Sequence, residues 1–180
     1  MSSEENLVRQ AIDGNQLAFT QLYDEHFDKI YRYIYFRVNS RAEAEDLTQE
    51  VFLKALQAIG SYKWRDVPFV SWLFRIAHNQ VVDHVRKQSK QKRAPLEEAA
   101  AVSVEDPVAM TERKSDVEEL AAALKKLPPA QQEVISLRFI AGLPIADVAK
   151  ATGKSEGTVK ALQFQGTVSL RKILTGARNG

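Results

Sequence analysis

The side chains best suited to chemistry are aromatic and basic residues that cluster between positions 61 and 93. Flat rings stack on unpaired nucleic-acid bases, at about 1–3 kcal/mol per base, and cations among them bind phosphates. The aromatic members are Tyr62, Trp64, Phe69, Trp72 and Phe74. The cations among them are Lys63, Arg65 and Arg75. This mixture is typical of a surface that holds single-stranded nucleic acid.

A helix predicted from about Pro68 to Lys87 would position much of this set. Because side chains three and four residues apart share a helical face, one face carries Trp72, Arg75, Asn79, Asp83 and Arg86. The other face carries Phe69, Leu73, Ile76 and Ala77. The same spacing also fits a core role for Phe69, Trp72 and Leu73. Tyr62 and Trp64 fall in a predicted loop, where stacking on bases and packing in the core both remain open.

A second candidate site lies near the C-terminus, where two short helices flank a glycine turn. Helices are predicted over 131–140 and 144–152, and Ser155 can cap the next helix through its hydroxyl. This arrangement is typical of a DNA-binding helix-turn-helix, although an ordinary helical hairpin also fits. After Lys160 the helix has no cation until Arg171. Gly166 inside it costs about 1 kcal/mol relative to alanine, so weak DNA binding is expected of this part alone.

Asn39-Ser40 interrupts the apolar periodicity of the first long helix, which predicts a break there. The helix predicted after it, from Ala42 to Ile59, has a different surface. Its apolar side includes Leu47, Val51 and Leu56, whereas Asp46, Gln49 and Glu50 project from another side, with Phe52 and Lys54 beyond them. An acidic face repels DNA but can dock a basic partner helix. Taken alone, the pattern also fits an ordinary solvated face.

Composition and motifs argue against an enzyme. The chain has 180 residues, a formal net charge of +2 and no cysteine, which excludes disulfides and thiolate metal sites. It contains no glycine-rich phosphate loop and no nucleophile elbow, and its three histidines are scattered. No apolar run approaches the roughly 18–20 residues of a membrane span, and the polar start does not resemble a secretory signal. We expect a cytoplasmic protein with no cofactor, bound metal or small-molecule substrate.

The periodicity predicts an all-α protein made of two small helical domains. The first spans 1–90 and the second spans 116–176. Between them, residues 91–115 lose apolar periodicity and contain two prolines, which predicts a flexible linker. The first domain would carry the aromatic and acidic surfaces, and the second would carry the helix-turn-helix.

Taken together, these segments resemble the extracytoplasmic-function sigma factors of bacterial RNA polymerase, from about Phe19 to Leu174. The resemblance rests on four sequence segments: 44–52 (AEDLTQEVF), 72–79 (WLFRIAHN), 127–128 (LP) and 157–160 (GTVK). Their order and spacing are more specific than any one of them. The chain departs from the family at Leu143-Pro144, where many members start the short helix with Ser or Thr. It departs again at 165–167, where this chain has Gln-Gly-Thr and many members of the family carry arginines.

The resemblance implies specific partners and site residues. The residues that would dock on the β′ clamp helices of core polymerase are Asp46, Gln49, Glu50 and Phe52. Those that would contact the melted minus-ten element are Tyr62, Lys63, Trp64, Arg65, Trp72, Arg75, Asn79 and Arg86. Those that would contact the minus-thirty-five element are Ser155, Thr158, Lys160, Ala161, Phe164 and Gln165. The second domain would also touch the β flap.

The resemblance also implies an anti-sigma factor, which would cover the polymerase-docking face or wedge between the domains and could hold the chain at the membrane. Two other functions stay open at this point. One is an adaptor or degenerate sigma factor that binds polymerase but recognises DNA poorly, which the charge-poor helix favours. The other is a stand-alone helix-turn-helix regulator, although no dimerisation surface or ligand pocket is evident from the sequence.

Overall fold

A computed structural model describes residues 3–63, 67–92 and 112–178 of the protein. Every long regular element in these ranges is helical, which confirms the all-α prediction. The helices are α1 (Ser3–Ile12), α2 (Gln16–Val38), α3 (Arg41–Ala58), α4 (Phe69–Lys92), α5 (Glu112–Lys125), α6 (Pro129–Ile135), α7 (Ile145–Thr152) and α8 (Glu156–Arg178). A 3₁₀ turn, Ile59–Ser61, follows α3, and a π-helical turn, Ser136–Ile140, continues α6.

Polar side chains set the boundaries of the first long helices. The Asn15 side chain accepts hydrogen bonds from the backbone nitrogens of Leu17 and Ala18, at 3.0 and 3.3 Å, and so caps α2. At the other end, Asn39 adopts a left-handed conformation with φ 55°. Ser40 then caps α3 by accepting from the Glu43 nitrogen at 3.3 Å. The break predicted at Asn39-Ser40 is thereby confirmed.

The first helix was not predicted. α1 arises from a mostly polar stretch in which Val8 and Ala11 are buried. It packs on α2, and His26 Nε2 lies 2.6 Å from Glu4 Oε1. Two buried side chains in a polar stretch give a weak periodic signal, so tertiary packing rather than local pattern defines this helix.

One continuous hydrophobic core runs through both halves of the chain. It includes Tyr33, Phe69 and Leu73 of the first half together with Leu137 and Val148 of the second. α4 packs against α7, and α2 packs against both α5 and the π-helical turn. The two helical units are confirmed, but their direct packing was not predicted.

The predicted linker lies largely outside the described residues. α4 continues to Lys92 and α5 begins at Glu112, so the boundaries 1–90, 91–115 and 116–176 remain a prediction. In the described parts of the chain, no helix combines the length and the apolar character that a membrane crossing requires.

Candidate functional surfaces

The exposed face of α3 carries most of the predicted docking residues. Asp46, Gln49 and Glu50 are all exposed. The Tyr23 hydroxyl and the Gln49 side chain are hydrogen-bonded, with Gln49 Nε2 donating at 3.0 Å. Phe52 differs, because it is only 4% exposed and packs edge-on against Tyr23 with ring centroids 4.7 Å apart. As folded, Phe52 supports this face from inside and is not available for direct contact.

Two leucines on the same face were missed or misplaced by sequence reasoning. Leu53 is 55% exposed and Leu56 is 49% exposed, although Leu56 was predicted to face the core. They continue the three- and four-residue steps of Asp46, Gln49 and Glu50, so all five share one side of α3. This spacing could have predicted the exposure of Leu53 and Leu56, because both lie on the same side of the helix as the three polar residues. We define these five residues as the α3 face.

The exposed side of α4 carries the predicted polar contacts. Arg75, Asn79 and Arg86 are exposed, and within the described ranges neither arginine has a carboxylate within ion-pair distance. The opposite side is core, as predicted. Phe74 belongs to it as well, because it is 1% exposed and packs edge-on against Tyr33 with centroids 5.7 Å apart. Its proposed role as a stacking platform is therefore wrong for this conformation.

Tyr62 is also placed inside rather than on the surface. It is 6% exposed, its hydroxyl donates to the Val67 carbonyl oxygen, and its ring lies 4.9 Å from Trp72. The hydrogen bond ties the start of the 62–67 loop to its end, which leaves this ring unavailable for stacking. Lys63 is exposed and Trp72 is partly buried. Trp64 and Arg65, the other two predicted loop contacts, lie outside the described residues.

The helix-turn-helix forms where the spacing predicted it. Gly153 adopts φ 72° at the end of α7, a left-handed conformation that glycine adopts without strain. Ser155 Oγ then accepts from the Thr158 nitrogen at 3.1 Å, which confirms the predicted cap. All six predicted contacts are exposed: Ser155, Thr158, Lys160, Ala161, Phe164 and Gln165. Phe164 is 72% exposed, which leaves its ring free to contact a thymine methyl group.

A polar cluster lies between the two halves. Glu133 of α6 approaches His78 Nδ1 of α4 at 3.2 Å and Lys154 Nζ at 3.9 Å. Arg37 of α2 is 6% exposed, and its Nη1 donates to the Tyr33 hydroxyl at 3.5 Å. Burial lowers the pKa of His78, Arg37 and Lys154 lower it further, and Glu133 opposes them. Burial also raises the pKa of Tyr33 to about 12, so this hydroxyl stays neutral.

The His78 shift predicts a pH dependence of stability. The unfolded chain protonates His78 near its ordinary pKa of about 6.5, whereas the folded chain does so only at lower pH. Stability is therefore lost as the pH falls through about 6.5. We expect the urea midpoint to drop between about pH 7.5 and 5.5, and to drop less in His78→Gln. An equal drop in both proteins would show that His78 does not contribute.

One group of side chains within the described residues has metal-ligand chemistry. Oxygen and nitrogen atoms of Glu4, Glu25 and His26 lie within 4.8 Å of one another. His26 Nε2 already contacts Glu4 Oε1 at 2.6 Å, and Glu25 is exposed. We assign the Glu4–His26 contact to the packing of α1 on α2.

Two family models and several known proteins match this chain. Residues 22–91 match the family model of sigma-70 region 2, and residues 123–172 match that of sigma-70 region 4. The chain is 40% identical over 174 residues to the ECF RNA polymerase sigma factor BldN of Streptomyces coelicolor, covering 93% of this chain and 64% of BldN. It is 30% identical over 172 residues to the ECF RNA polymerase sigma factor SigM of Mycobacterium tuberculosis, covering 96% of this chain and 85% of SigM.

A solved structure shows the same fold. The sigma factor RpoE from Bartonella quintana, in complex with the anti-sigma factor NepR, superposes with a TM-score of 0.72. The sequence identity is 23%, over 87% of this chain and 96% of the solved one. The region 2 match covers α3 and all but the last residue of α4, and the region 4 match covers α6, α7 and most of α8. Together with the identity to SigM, this shows that the chain belongs to the extracytoplasmic-function RNA polymerase sigma factors.

Proposed function

We propose that this alternative sigma factor, which directs promoter-specific transcription initiation, divides its contacts among three helices. The α3 face would dock on the β′ clamp helices of core RNA polymerase. The exposed side of α4 would hold the melted minus-ten element, and α8 would recognise the minus-thirty-five element. The observation that carries this division is that each helix exposes a face of different chemistry: acidic and apolar on α3, cationic and amide-bearing on α4, small and polar on α8.

Two residues that were predicted to contact polymerase or DNA are buried, and we assign them a supporting role. Phe52 would shape the α3 face through Tyr23, and Tyr62 would support Trp72 and the 62–67 loop. Direct minus-ten contacts would come from Lys63, Trp72, Arg75, Asn79 and Arg86, together with Trp64 and Arg65. We further propose that the chain has no catalytic activity of its own and acts in the cytoplasm, where polymerase and promoter DNA are found.

An anti-sigma partner is the second part of the proposal. A cleft of about 560 Å³ lies between α2, the start of α3 and α5. Its walls come from both halves of the chain, so a protein that fills it would hold the halves together. The lining residues are Tyr31, Arg32, Tyr35, Phe36, Arg41, Val117 and Glu118. This supports the earlier expectation of a wedge between the domains. Retention at the membrane through that partner stays a prediction.

In vitro transcription with purified core polymerase and a genomic promoter library tests the function. We expect transcripts that depend on this protein and share two upstream sequence elements. Stable polymerase binding without transcripts would favour the adaptor or degenerate sigma factor. Specific duplex binding without polymerase would favour the stand-alone regulator, and no polymerase binding at all would refute the proposal.

Changing Arg75 to alanine tests the α4 surface. If Arg75 neutralises one phosphate, its loss removes one released counterion, and the slope of log affinity against log salt should fall by about one. Holoenzyme binding to a promoter fragment, measured across a series of KCl concentrations, would give that slope. Lys29→Ala removes an exposed cation from α2 and should leave the slope unchanged. An unchanged slope in Arg75→Ala would remove this residue from the DNA surface.

A further inference from the structure

A row of polar side chains on α4 joins this helix to α3. Gln80, His84 and Gln88 lie four residues apart and therefore on one side of α4. His84 Nε2 lies 3.3 Å from Glu43 Oε2, and Gln88 Nε2 donates to Glu43 Oε1 at 3.1 Å. Gln80, at the other end of the row, contacts the part of α3 that carries the α3 face.

The Gln80 amide lies between two charged side chains of α3. Its nitrogen donates to Glu50 Oε2 at 3.1 Å, and its oxygen accepts from Lys54 Nζ. This orientation of the amide satisfies both neighbours, because a carboxylate can only accept hydrogen bonds and an ammonium group can only donate them. Gln80 is 5% exposed, whereas Glu50 and Lys54 are both exposed. A buried amide thus holds two charged groups that remain at the surface.

The amide occupies the place of a direct ion pair between Glu50 and Lys54. A glutamate four residues before a lysine or arginine is the favourable order for an ion pair along a helix. Glu5 and Arg9 have this spacing on α1 and do pair, at 3.1 Å. Among the ion pairs of the described residues, however, none joins Glu50 to Lys54. The hydrogen bonds of Gln80 account for this difference, since they keep the two charges apart.

This separation affects the charge that the α3 face presents. Asp46 and Glu50 are the two carboxylates of that face, and a carboxylate paired with a lysine of its own helix attracts a basic partner less strongly. The Gln80 amide carries no net charge, so it restrains Glu50 without neutralising it. A restrained side chain also loses less conformational entropy when a partner binds. Gln80 therefore improves Glu50 as a contact residue in two ways.

We infer that Gln80 is a positioning residue for polymerase binding: its amide keeps Glu50 apart from Lys54 and orders the Glu50 carboxylate on the α3 face. This inference rests on the proposed docking of the α3 face on core polymerase. Gln80 is buried and so would contact neither polymerase nor DNA itself. It would act only through Glu50, unlike its neighbour Asn79, which is exposed.

Replacing Gln80 by methionine tests this role. Methionine has a similar length but lacks the amide, and both former partners can turn to water, so the urea midpoint should stay close to that of the wild type. The affinity of the full-length protein for core polymerase should fall about three- to fivefold, the scale of one exposed charge pair. Gln88→Met makes the same change eight residues further along α4. Its partner Glu43 lies outside the α3 face, so this control should keep wild-type affinity.

The Lys54→Met background supplies a measurement that a purely structural role of Gln80 would not affect. With Lys54 absent, Glu50 has no lysine to pair with, so Gln80→Met should cause little further loss of affinity. The double variant should bind core polymerase within about twofold of Lys54→Met alone, which is the non-additivity expected of residues that act through one contact.

Two results would overturn the positioning role: wild-type affinity in Gln80→Met, or a loss that persists in full when Lys54 is absent. Gln80→Leu, which also lacks the amide, takes the place of Gln80→Met if circular dichroism shows that the methionine variant is unfolded. Glu50→Gln is titrated in parallel. Wild-type affinity in Glu50→Gln would refute the docking role of Glu50 and the inference with it. Weakened binding in Glu50→Gln but not in Gln80→Met would refute the positioning role alone.

Discussion

Replacing Leu53 by aspartate should lower the affinity for core RNA polymerase at least tenfold while the fold stays intact. Leu53 is 55% exposed and so contributes little to the core of the free protein. Burying a leucine in an interface stabilises the complex by up to about 1.5–3 kcal/mol, and tenfold in affinity corresponds to about 1.4 kcal/mol. A carboxylate at this position loses that contribution and must also be desolvated. Equilibrium binding to core polymerase measures the effect.

Leu17→Asp is the matched control for this change. Leu17 is 76% exposed and lies on α2, outside the α3 face. It should keep wild-type affinity, as judged by the same titration. Equal affinities for Leu53→Asp and wild type would remove Leu53 from the docking surface. An unfolded Leu53→Asp would instead show that the leucine is needed by the core, and circular dichroism separates the two results.

Local sequence signals predicted the long helices and most of their ends. Each signal acts over a few residues: the Asn39-Ser40 break, the glycine at 153 and the Ser155 cap all satisfy backbone groups of the adjacent helix. The six residues that the family resemblance assigned to the minus-thirty-five element are exposed on α8 and its cap, but their DNA contacts stay a prediction. A single sequence was therefore enough to predict the structure wherever residues close in the chain determine it.

Buried aromatic residues were the main source of error. Phe52, Tyr62 and Phe74 were treated as available surfaces, yet each is at most 6% exposed. An aromatic ring suits both a base-stacking surface and a core, and its spacing along a helix does not distinguish them when the helix packs on two sides. α4, for example, packs against α2, α3 and α7. The sequence pattern alone cannot show how many neighbours a helix will have.

The contact between the halves was beyond the reach of sequence patterns for a related reason. Glu133 and His78 are separated by more than fifty positions, and nothing in the local pattern of either predicts the other. Such a pair forms only after both helical units have folded and met. The predicted linker suggested independent domains, whereas the buried Phe36 shows that the second half completes the surface of the first.

Gly166 shows how a feature that looks unfavourable in sequence becomes necessary in the fold. From the sequence, Gly166 was expected to lower the stability of this helix relative to alanine. In the structure Gly166 is buried where α8 crosses α6, and a Cβ atom there would lie 2.8 Å from Ile135 Cγ1 and 3.5 Å from Gln131 Cβ. Ile135 is itself 3% exposed and has little room to move. The glycine therefore determines how closely α8 packs on α6.

Gly166→Ala should destabilise the protein even though alanine favours helices. The gain in helix propensity is about 1 kcal/mol, whereas overpacking a core costs about 1–3 kcal/mol, so we expect a net loss of up to about 2 kcal/mol. Gly176→Ala makes the same change on the same helix with no atom within 4 Å, and it should be neutral or slightly stabilising. Urea unfolding of both variants measures the difference. Equal stabilities would mean that α8 moves away from Ile135 at no cost, and minus-thirty-five binding would then report whether the displaced helix still fits the major groove.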